Sequence, residues 1–261
     1  MEQTLLASAP EFEAPSLSGP VQPSIEDATL LKRLVSPYQL IEIMHHPEYG
    51  NMLVIDNDLQ IAESDHIYGQ AMVAPLKALP TIQRVLIMGG GDGGVLQELL
   101  KTADSFGWPL LQATMADIDN EVMKTSRQFL PKLNAGAFND RRANVLVEDG
   151  FAHLKKSRDL DAVIYDLTMT PVTEGHSRTT FIEETLSDIN CSLKPGGILS
   201  MQCCGEGETG PFIGKANERL LEEIRYYVDR FFTDRRENQV AVPSYQEKWT
   251  FLSAKKCQHP L

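Results

Sequence analysis

Cysteine, basic residues and long apolar segments are scarce in this chain of 261 residues, and each shortage excludes a class of protein. The four cysteines show no C-x-x-C spacing and no matching histidine cluster, so neither a metal site nor a disulfide framework is expected. No apolar run approaches the ~20 residues that span a bilayer, and no basic leader precedes an apolar stretch, which predicts a cytoplasmic protein. With 24 basic against 36 acidic residues, nucleic acid is not an expected partner, whereas a cationic ligand is compatible.

The most informative segment is the glycine-rich stretch at residues 84–98, RVLIMGGGDGGVLQE. It predicts a strand, a tight turn and a helix whose first N–H groups are free to bind a ligand. Nucleotide sites use such turns, although close packing explains a glycine-rich turn about as often. Asp92 would repel a phosphate, so the turn favours a nucleoside that carries positive charge. Gly89, Gly90, Gly91 and Asp92 are the candidate binding residues of this turn.

The rest of the chain predicts an α/β fold. After Pro80, apolar strands alternate with helix-forming segments, which implies a parallel sheet covered on both faces. The predicted strands are Val85–Met88, Leu110–Ala116, Asn144–Val147, Ala162–Tyr165 and Ile198–Gln202. The predicted helices between them are Val95–Thr102, Glu121–Leu130, Ala152–Lys156 and Thr180–Leu193.

Three regions follow from this pattern. Residues 1–28 are rich in proline and poor in bulky apolar residues, which predicts an extended or mobile leader. Residues 29–78 contain alternating apolar and polar positions between turn signals, which predict a small antiparallel unit of three or four strands and then a helix capped by Ser64 or Asp65. Residues 79–261 form the predicted main domain.

Acids follow four successive predicted strands, at the edge of the sheet where ligands bind in such folds. They are Asp92, Asp117 with Asp119, Glu148 with Asp149, and Asp166. A single acid after a strand is a helix N-cap at about even odds, but four in register favour a site. Asp117 is placed to accept both hydroxyls of a ribose, and Asp149 either to accept from an adenine amino group or to cap the next helix.

Four segments, GGGDGG, LVIDNDLQIAESDHIYGQAM, YDLTMTPV and VPSYQEKW, agree in order and spacing with one family. Over residues 30–255 the chain resembles the aminopropyltransferases, the spermidine and spermine synthases. The resemblance implies a Rossmann-like, methyltransferase-type domain in a homodimer, and no prosthetic group. It also implies transfer of an aminopropyl group from decarboxylated S-adenosylmethionine to a polyamine, with release of methylthioadenosine.

Within the family the chain is more similar to the spermine synthases. Its segment from Asp166 to Pro171 has Thr170 where spermidine synthases usually carry a second acid, and AVPSYQEKW is also similar to spermine synthases. Spermidine is therefore the expected acceptor and putrescine the alternative. Asp117 departs from the family, which usually has glutamate there. The segment Thr173–Arg178 is a candidate lid.

Carried over to matching positions, the resemblance implies a division of the acids between donor and acceptor. Those expected to hold the donor are Gln39, Asp92, Asp117, Asp119, Glu148 and Asp149, with Asp92 on its aminopropyl ammonium. Those expected along the acceptor channel are Asp58, Asp65, Tyr68, Asp92, Asp166 and Glu247. The acceptor amine is protonated in water, so Asp166 is expected to take its proton while Tyr68 positions the nitrogen.

Three other functions compete with this interpretation. A methyltransferase would bind intact S-adenosylmethionine, whose carboxylate Asp92 would repel. A dehydrogenase would bind the pyrophosphate of its cofactor at the glycine turn, where Asp92 would repel it. A polyamine-binding protein without catalysis would have no need of Asp166 and Tyr68 together.

Overall fold

The structure, a computed structural model, describes residues 27–167, 177–206 and 215–258 as two β-sheets flanked by helices. Most of the predicted leader, residues 1–26, lies outside the described residues. Residues 168–176 lie outside them as well, and they include Thr168, Thr170 and all but the last two positions of the predicted lid. Within the described ranges, no helix is both long enough and apolar enough to cross a membrane.

The N-terminal unit is an antiparallel sheet in which four strands pair in chain order. The strands are β1 (Thr29–Val35), β2 (Leu40–His46), β3 (Gly50–Ile55) and β4 (Asp58–Ala62). Asp56 and Asn57 turn the chain between β3 and β4 with φ angles of 49° and 67°, the left-handed conformation of tight hairpin turns. The buried face packs Ile41 and Leu53 against Leu133 of the second unit. The predicted antiparallel unit is confirmed.

The second unit is built on a seven-stranded sheet. Its strands are β5 (Arg84–Gly89), β6 (Gln112–Asp117), β7 (Ala143–Val147), β8 (Leu160–Asp166), β9 (Leu193–Gly205), β10 (Thr233–Val242) and β11 (Glu247–Lys255). Their order is β10-β11-β9-β8-β5-β6-β7, with β5 to β9 parallel and the other two antiparallel. The strand order therefore reverses between β5 and β8, where folds of this kind open a crevice for ligands.

Helices cover both faces of this sheet. They are α1 (His66–Val73), α2 (Gly94–Phe106), α3 (Asn120–Phe129), α4 (Pro131–Asn134), α5 (Gly150–Lys156), α6 (Arg178–Ser192) and α7 (Lys215–Phe231). On one face, Met72 of α1 and Leu96 of α2 join the core below β5. On the other face, Ile182 of α6 and Ile224 of α7 pack against β8 and β9. The predicted α/β fold is confirmed.

The C-terminal part adds two antiparallel strands, β10 and β11, that the sequence pattern does not predict. β10 reads TDRRENQVAV and exposes most of its side chains, so it lacks the apolar alternation by which strands are recognised. β9 begins at Leu193 rather than at Ile198, because Leu193 already pairs with Leu160 of β8. The Pro-Gly-Gly sequence that follows forms an irregularity within the strand, where Gly196 has a φ of +78° and the register shifts. Cys203 and Cys204 are buried near the end of β9, and all four cysteines are free.

Candidate active site

Three acids converge where the strand order reverses. Asp92 follows β5, Asp117 ends β6 and Asp166 ends β8. Asp166 is the register partner of Gly89 in the β5–β8 ladder, which places its carboxylate against the glycine turn. The parallel pairing of these strands brings side chains that are distant in sequence to one edge of the sheet.

Glycine is required where the carboxylates touch the turn. A Cβ atom on Gly90 would lie 3.1 Å from Oδ2 of Asp166, and Gly90 also has a φ of +73°, which L side chains rarely adopt. A Cβ atom on Gly91 would lie 2.6 Å from Oδ2 of Asp117, closer than any real contact. Gly90 and Gly91 are therefore glycines because a carboxylate approaches the backbone at each position.

Asp117 is bound by backbone N–H groups. Its Oδ2 accepts from Gly91 N at 2.9 Å, and its Oδ1 accepts from Asp119 N at 2.9 Å. Loss of hydration raises the pKa of Asp117, although these two hydrogen bonds oppose the rise. The carboxylate is thereby fixed beside the glycine turn.

Asp119 connects the two units of the protein. It caps α3 by accepting from Glu121 N, and its Oδ2 accepts from Ser36 Oγ at 2.6 Å and from Gln39 Nε2 at 2.9 Å. Ser36 and Gln39 lie in the turn between β1 and β2. Two of the predicted donor-binding residues, Gln39 and Asp119, are therefore hydrogen-bonded to each other, although they are 80 positions apart in the chain.

Asp166 accepts a hydrogen bond from the Tyr68 hydroxyl, with 2.6 Å between the hydroxyl oxygen and Oδ1. Tyr68 comes from α1, and its ring packs edge-on against Tyr245 and Phe251. Loss of hydration raises the pKa of Asp166, whereas the tyrosine hydrogen bond lowers it. Burial beside the Asp166 carboxylate raises the pKa of Tyr68 well above its ordinary value, so Tyr68 is a hydrogen-bond donor at neutral pH.

Asp92 is held within the turn by its own backbone, since its Oδ1 accepts from Gly94 N at 2.7 Å. Loss of hydration is the largest cause that raises the pKa of Asp92, and repulsion from Asp166 is the next. Clustered acids of this kind are stabilised by a bound cation. The electrostatics of the site therefore favour a positively charged ligand.

A hydrogen-bond chain that sequence reasoning missed supports the end of β8. Gln202 of β9 donates from Nε2 to the Leu167 carbonyl at 2.7 Å and accepts at Oε1 from Trp249 Nε1 at 3.0 Å. Leu167 directly follows Asp166. The only signal in the sequence was a polar residue at the end of an apolar strand, which does not identify a partner on β8 or β11.

Replacing Gln202 by leucine is expected to lower the free energy of unfolding by about 1–3 kcal/mol, because the Leu167 carbonyl and the Trp249 indole N–H both lose their partner. Equilibrium denaturation in urea measures this change. Gln239→Leu is the matched control, since Gln239 is exposed on the edge strand β10 and donates a long hydrogen bond, 3.4 Å, to the Thr250 hydroxyl. We expect the control to stay within about 0.5 kcal/mol of the wild type, and equal losses in the two variants would contradict the role of Gln202.

The acids after β7 have other partners. Asp149 caps α5 by accepting from Phe151 N, which is one of the two roles predicted for it. The Glu148 carboxylate is directed to Lys156 and His153 on α5, and these contacts lower the pKa of Glu148. Glu148 thus has an ion-pair role, and nothing in its contacts points to the glycine turn.

The remaining candidates for the acceptor side are spread over three elements. Asp58 is exposed at the start of β4 and accepts from Gln60 Nε2. Glu247 begins β11, and a Cβ atom on Gly205 would lie 2.5 Å from its carboxylate, so Glu247 sits against the end of β9. Asp65 precedes α1 but does not cap it, and it has no exposed surface.

Comparison with known proteins identifies two family matches that together span the described region. The family described as "Spermine/spermidine synthase domain" matches residues 65–260, and "Spermidine synthase tetramerisation domain" matches residues 27–63.

Curated relatives and solved structures agree with these matches. A polyamine aminopropyltransferase of Bacillus subtilis is 34% identical over 229 residues, covering 86% of this chain and 76% of the relative. One from Aquifex aeolicus is 36% identical over 229 residues, covering 87% and 76%. The crystal structure of spermidine synthase from Thermotoga maritima has a TM-score of 0.71 at 25% identity, covering 89% of this chain and 74% of that one. A spermidine synthase in complex with the transition-state analogue AdoDATO shares the fold, with a TM-score of 0.73 at 24% identity and the same coverage.

Proposed function

The chain belongs to the spermine/spermidine synthase family and is a polyamine aminopropyltransferase, and from this premise we propose that it transfers an aminopropyl group to spermidine. The family uses decarboxylated S-adenosylmethionine as its co-substrate. The products would be spermine and methylthioadenosine. The observation that supports the transfer reaction is the hydrogen bond from the Tyr68 hydroxyl to the Asp166 carboxylate, 2.6 Å long and beside the glycine turn.

Proton removal is the main chemical task for this site. The attacking amine is protonated in water with a pKa of ~10.4, so freeing its lone pair at pH 7 costs about 4.6 kcal/mol. In our proposal Asp166 accepts that proton and Tyr68 orients the nitrogen. The nitrogen then forms a bond to the aminopropyl carbon as the carbon–sulfur bond of the sulfonium breaks. Methylthioadenosine leaves neutral, so no general acid is needed, and one proton is released per transfer.

The donor would occupy the glycine turn. Asp92 pairs with the ammonium of its aminopropyl arm, which offsets the loss of hydration and the repulsion from Asp166. Asp117 receives the ribose hydroxyls. Gln39 of the N-terminal unit and Asp119 at the start of α3 close the nucleoside side together. Asp149 accepts from the adenine amino group through the oxygen that does not cap α5.

The acceptor would lie on the side of Tyr68, with its distal ammonium groups near Glu247 and Asp58. Thr170, which replaces the second acid typical of spermidine synthases, favours a longer acceptor that finds its countercharges elsewhere. Thr170 lies outside the described residues, so the sequence alone carries this step. Putrescine as acceptor is the second candidate, and the likeness to the spermidine synthase of Thermotoga maritima favours it.

A methyltransferase that uses intact S-adenosylmethionine is the rival from another reaction class. Its methionine carboxylate would approach Asp92, whose pKa is already raised by burial and by Asp166. Repulsion between the methionine carboxylate and the Asp92 carboxylate disfavours binding of the intact donor. The same argument favours the decarboxylated donor, which presents only an ammonium.

We expect the purified protein to release methylthioadenosine from decarboxylated S-adenosylmethionine more rapidly with spermidine than with putrescine. Mass analysis of products from parallel reactions with each amine checks both the reaction and the acceptor. Intact S-adenosylmethionine serves as the control donor and should give no methylated amine. A higher rate with putrescine would make spermidine the product, and no methylthioadenosine with any amine would exclude the transfer altogether.

The chain is also expected to self-associate. The family matched by residues 27–63 is described as a tetramerisation domain, and within those residues Leu30, Leu31 and Val35 of β1 are exposed apolar residues on an edge strand. Exposed apolar residues on a sheet edge are typical of subunit contacts. The homodimer implied by the family resemblance stays a prediction.

A further inference from the structure

The hairpin between β10 and β11 ends in a short 3₁₀ helix, Pro243–Tyr245, which reaches the N-terminal unit. Ser244 in this tip has no exposed surface. Its backbone N–H donates to Asp65 Oδ1 at 3.0 Å, and its hydroxyl donates to Asp65 Oδ2. Asp65 and Ser244 are 179 positions apart, so this contact joins the start of α1 to the C-terminal hairpin.

Asp65 has no oxygen left for a substrate. Besides the two bonds from Ser244, its Oδ2 accepts from Ala62 N at 2.7 Å and its Oδ1 from the Ser64 hydroxyl at 3.0 Å. Four donors surround two oxygens in a fully buried position. Such a carboxylate holds backbone in place and does not exchange its partners for a ligand. The sequence predicts Asp65 along the acceptor channel, and these hydrogen bonds favour a role in holding the backbone there.

Two neighbours of Ser244 are tied to the same unit. The Tyr245 hydroxyl donates to the Gln60 carbonyl in β4, and Gln246 Nε2 donates to the Tyr49 hydroxyl at 3.2 Å. Gln246 has a φ of +56°, an unfavourable backbone conformation for a residue other than glycine. The contacts around the tip keep that conformation in place.

The tip carries side chains that face the proposed acceptor. The Tyr245 ring lies 6.4 Å from the Tyr68 ring and 5.0 Å from the Trp249 ring, centroid to centroid. Glu247, the proposed partner of a distal ammonium, follows the tip after Gln246. A shift of the tip would move both Tyr245 and Glu247 relative to Tyr68 and Asp166.

We propose that Asp65 is a positioning residue that clamps the β10–β11 tip and thereby sets the acceptor side of the active site. This inference rests on the proposed transfer to a polyamine. It assigns the donor side to the glycine turn and to the β1–β2 turn, whereas the backbone N–H and the hydroxyl of Ser244 both donate to Asp65. Loosening the clamp should affect the acceptor and spare the nucleoside.

Ser244→Ala tests the clamp with the smallest change, because it removes one donor and leaves the backbone N–H on Asp65. We expect the KM for spermidine to rise about tenfold, while kcat falls less and the Kd for methylthioadenosine stays within about twofold. Asp65→Asn should act in the same direction and more strongly. Ser192→Ala is the matched control, since Ser192 is equally buried but donates to Ile189 at the opposite end of the sheet.

Calorimetric titration of spermidine in the presence of methylthioadenosine gives a readout that needs no turnover. Weaker spermidine binding in Ser244→Ala than in Ser192→Ala would support the clamp even if the wild type transferred nothing. If Asp65→Asn does not fold, Ser244→Ala decides. Unchanged spermidine KM and Kd in folded Ser244→Ala, or an equal loss of methylthioadenosine affinity, would overturn the proposal, as would a wild type that binds no spermidine.

Discussion

Replacement of Asp166 by asparagine is expected to lower kcat by about 10²–10⁴-fold, the usual contribution of a general base, while methylthioadenosine affinity stays within about twofold. Asparagine has nearly the same shape and can still accept the Tyr68 hydrogen bond through its oxygen. It cannot take a proton from an ammonium group. The variant therefore removes the proposed chemistry and leaves the donor pocket in place.

The pH dependence of acceptor kcat/KM gives a second measure of the same role. Burial raises the pKa of Asp166 in the free enzyme, so the rate of the wild type should rise with pH through a range above that of an ordinary aspartate. The residual activity of Asp166→Asn should not show this rise with pH. Asp104→Asn is the control, because Asp104 is exposed and pairs with Arg142 away from the site. Full turnover by Asp166→Asn would remove Asp166 from the base role, and a matching loss of methylthioadenosine affinity would assign it to binding.

Strand and helix alternation was sufficient to predict the centre of the fold. β5, β6, β7 and β8 are short apolar runs between helices with clear signals, and buried parallel strands need no other pattern. β10 could not be predicted in the same way, because its charged and exposed side chains reflect an edge position that only tertiary pairing creates. α7 was missed although it is amphipathic, since no strand with a recognisable pattern follows it.

The sequence predicted which acids follow strands, but not what each acid binds. Asp119 and Asp149 both cap helices, the ordinary role of an acid in that position, and Asp119 additionally binds Gln39. Asp65 and Gln202 each have one partner on the C-terminal hairpin, Ser244 and Trp249 respectively, and the pairing of that hairpin was not foreseen. Long-range contacts of this kind leave no periodic signal in the chain, so a positioning residue and a substrate ligand look alike in sequence.

Replacing Asp92 by asparagine is expected to stabilise the free protein and to weaken donor binding. Burial and Asp166 raise the pKa of Asp92 to about 7, so the folded protein holds this proton more tightly than the unfolded chain does. The unfavourable charge in the folded state therefore grows as pH rises from about 4 to about 7 and is constant above that range. Asparagine carries no charge and its oxygen keeps the bond from Gly94 N. The Tm of the variant should match the wild type near pH 4 and exceed it by at least a few degrees at pH 8, since each ~1 kcal/mol of relieved destabilisation corresponds to about 2–4 °C in a chain of this size.

The same change should raise the KM for decarboxylated S-adenosylmethionine by about 10–100-fold, the usual range for losing a charge-assisted hydrogen bond. Discrimination against intact S-adenosylmethionine as a competitor should fall, because the repelling charge is gone. Thermal unfolding at both pH values and donor saturation curves check the two effects, with Asp104→Asn again as the control. A structural aspartate would lose stability and binding together when it is replaced. A gain in Tm together with a loss of donor affinity is expected only if the Asp92 charge destabilises the free protein and binds a cationic ligand. A lower Tm at pH 8, or an unchanged KM for the donor, would therefore refute the role of Asp92 in selecting the donor.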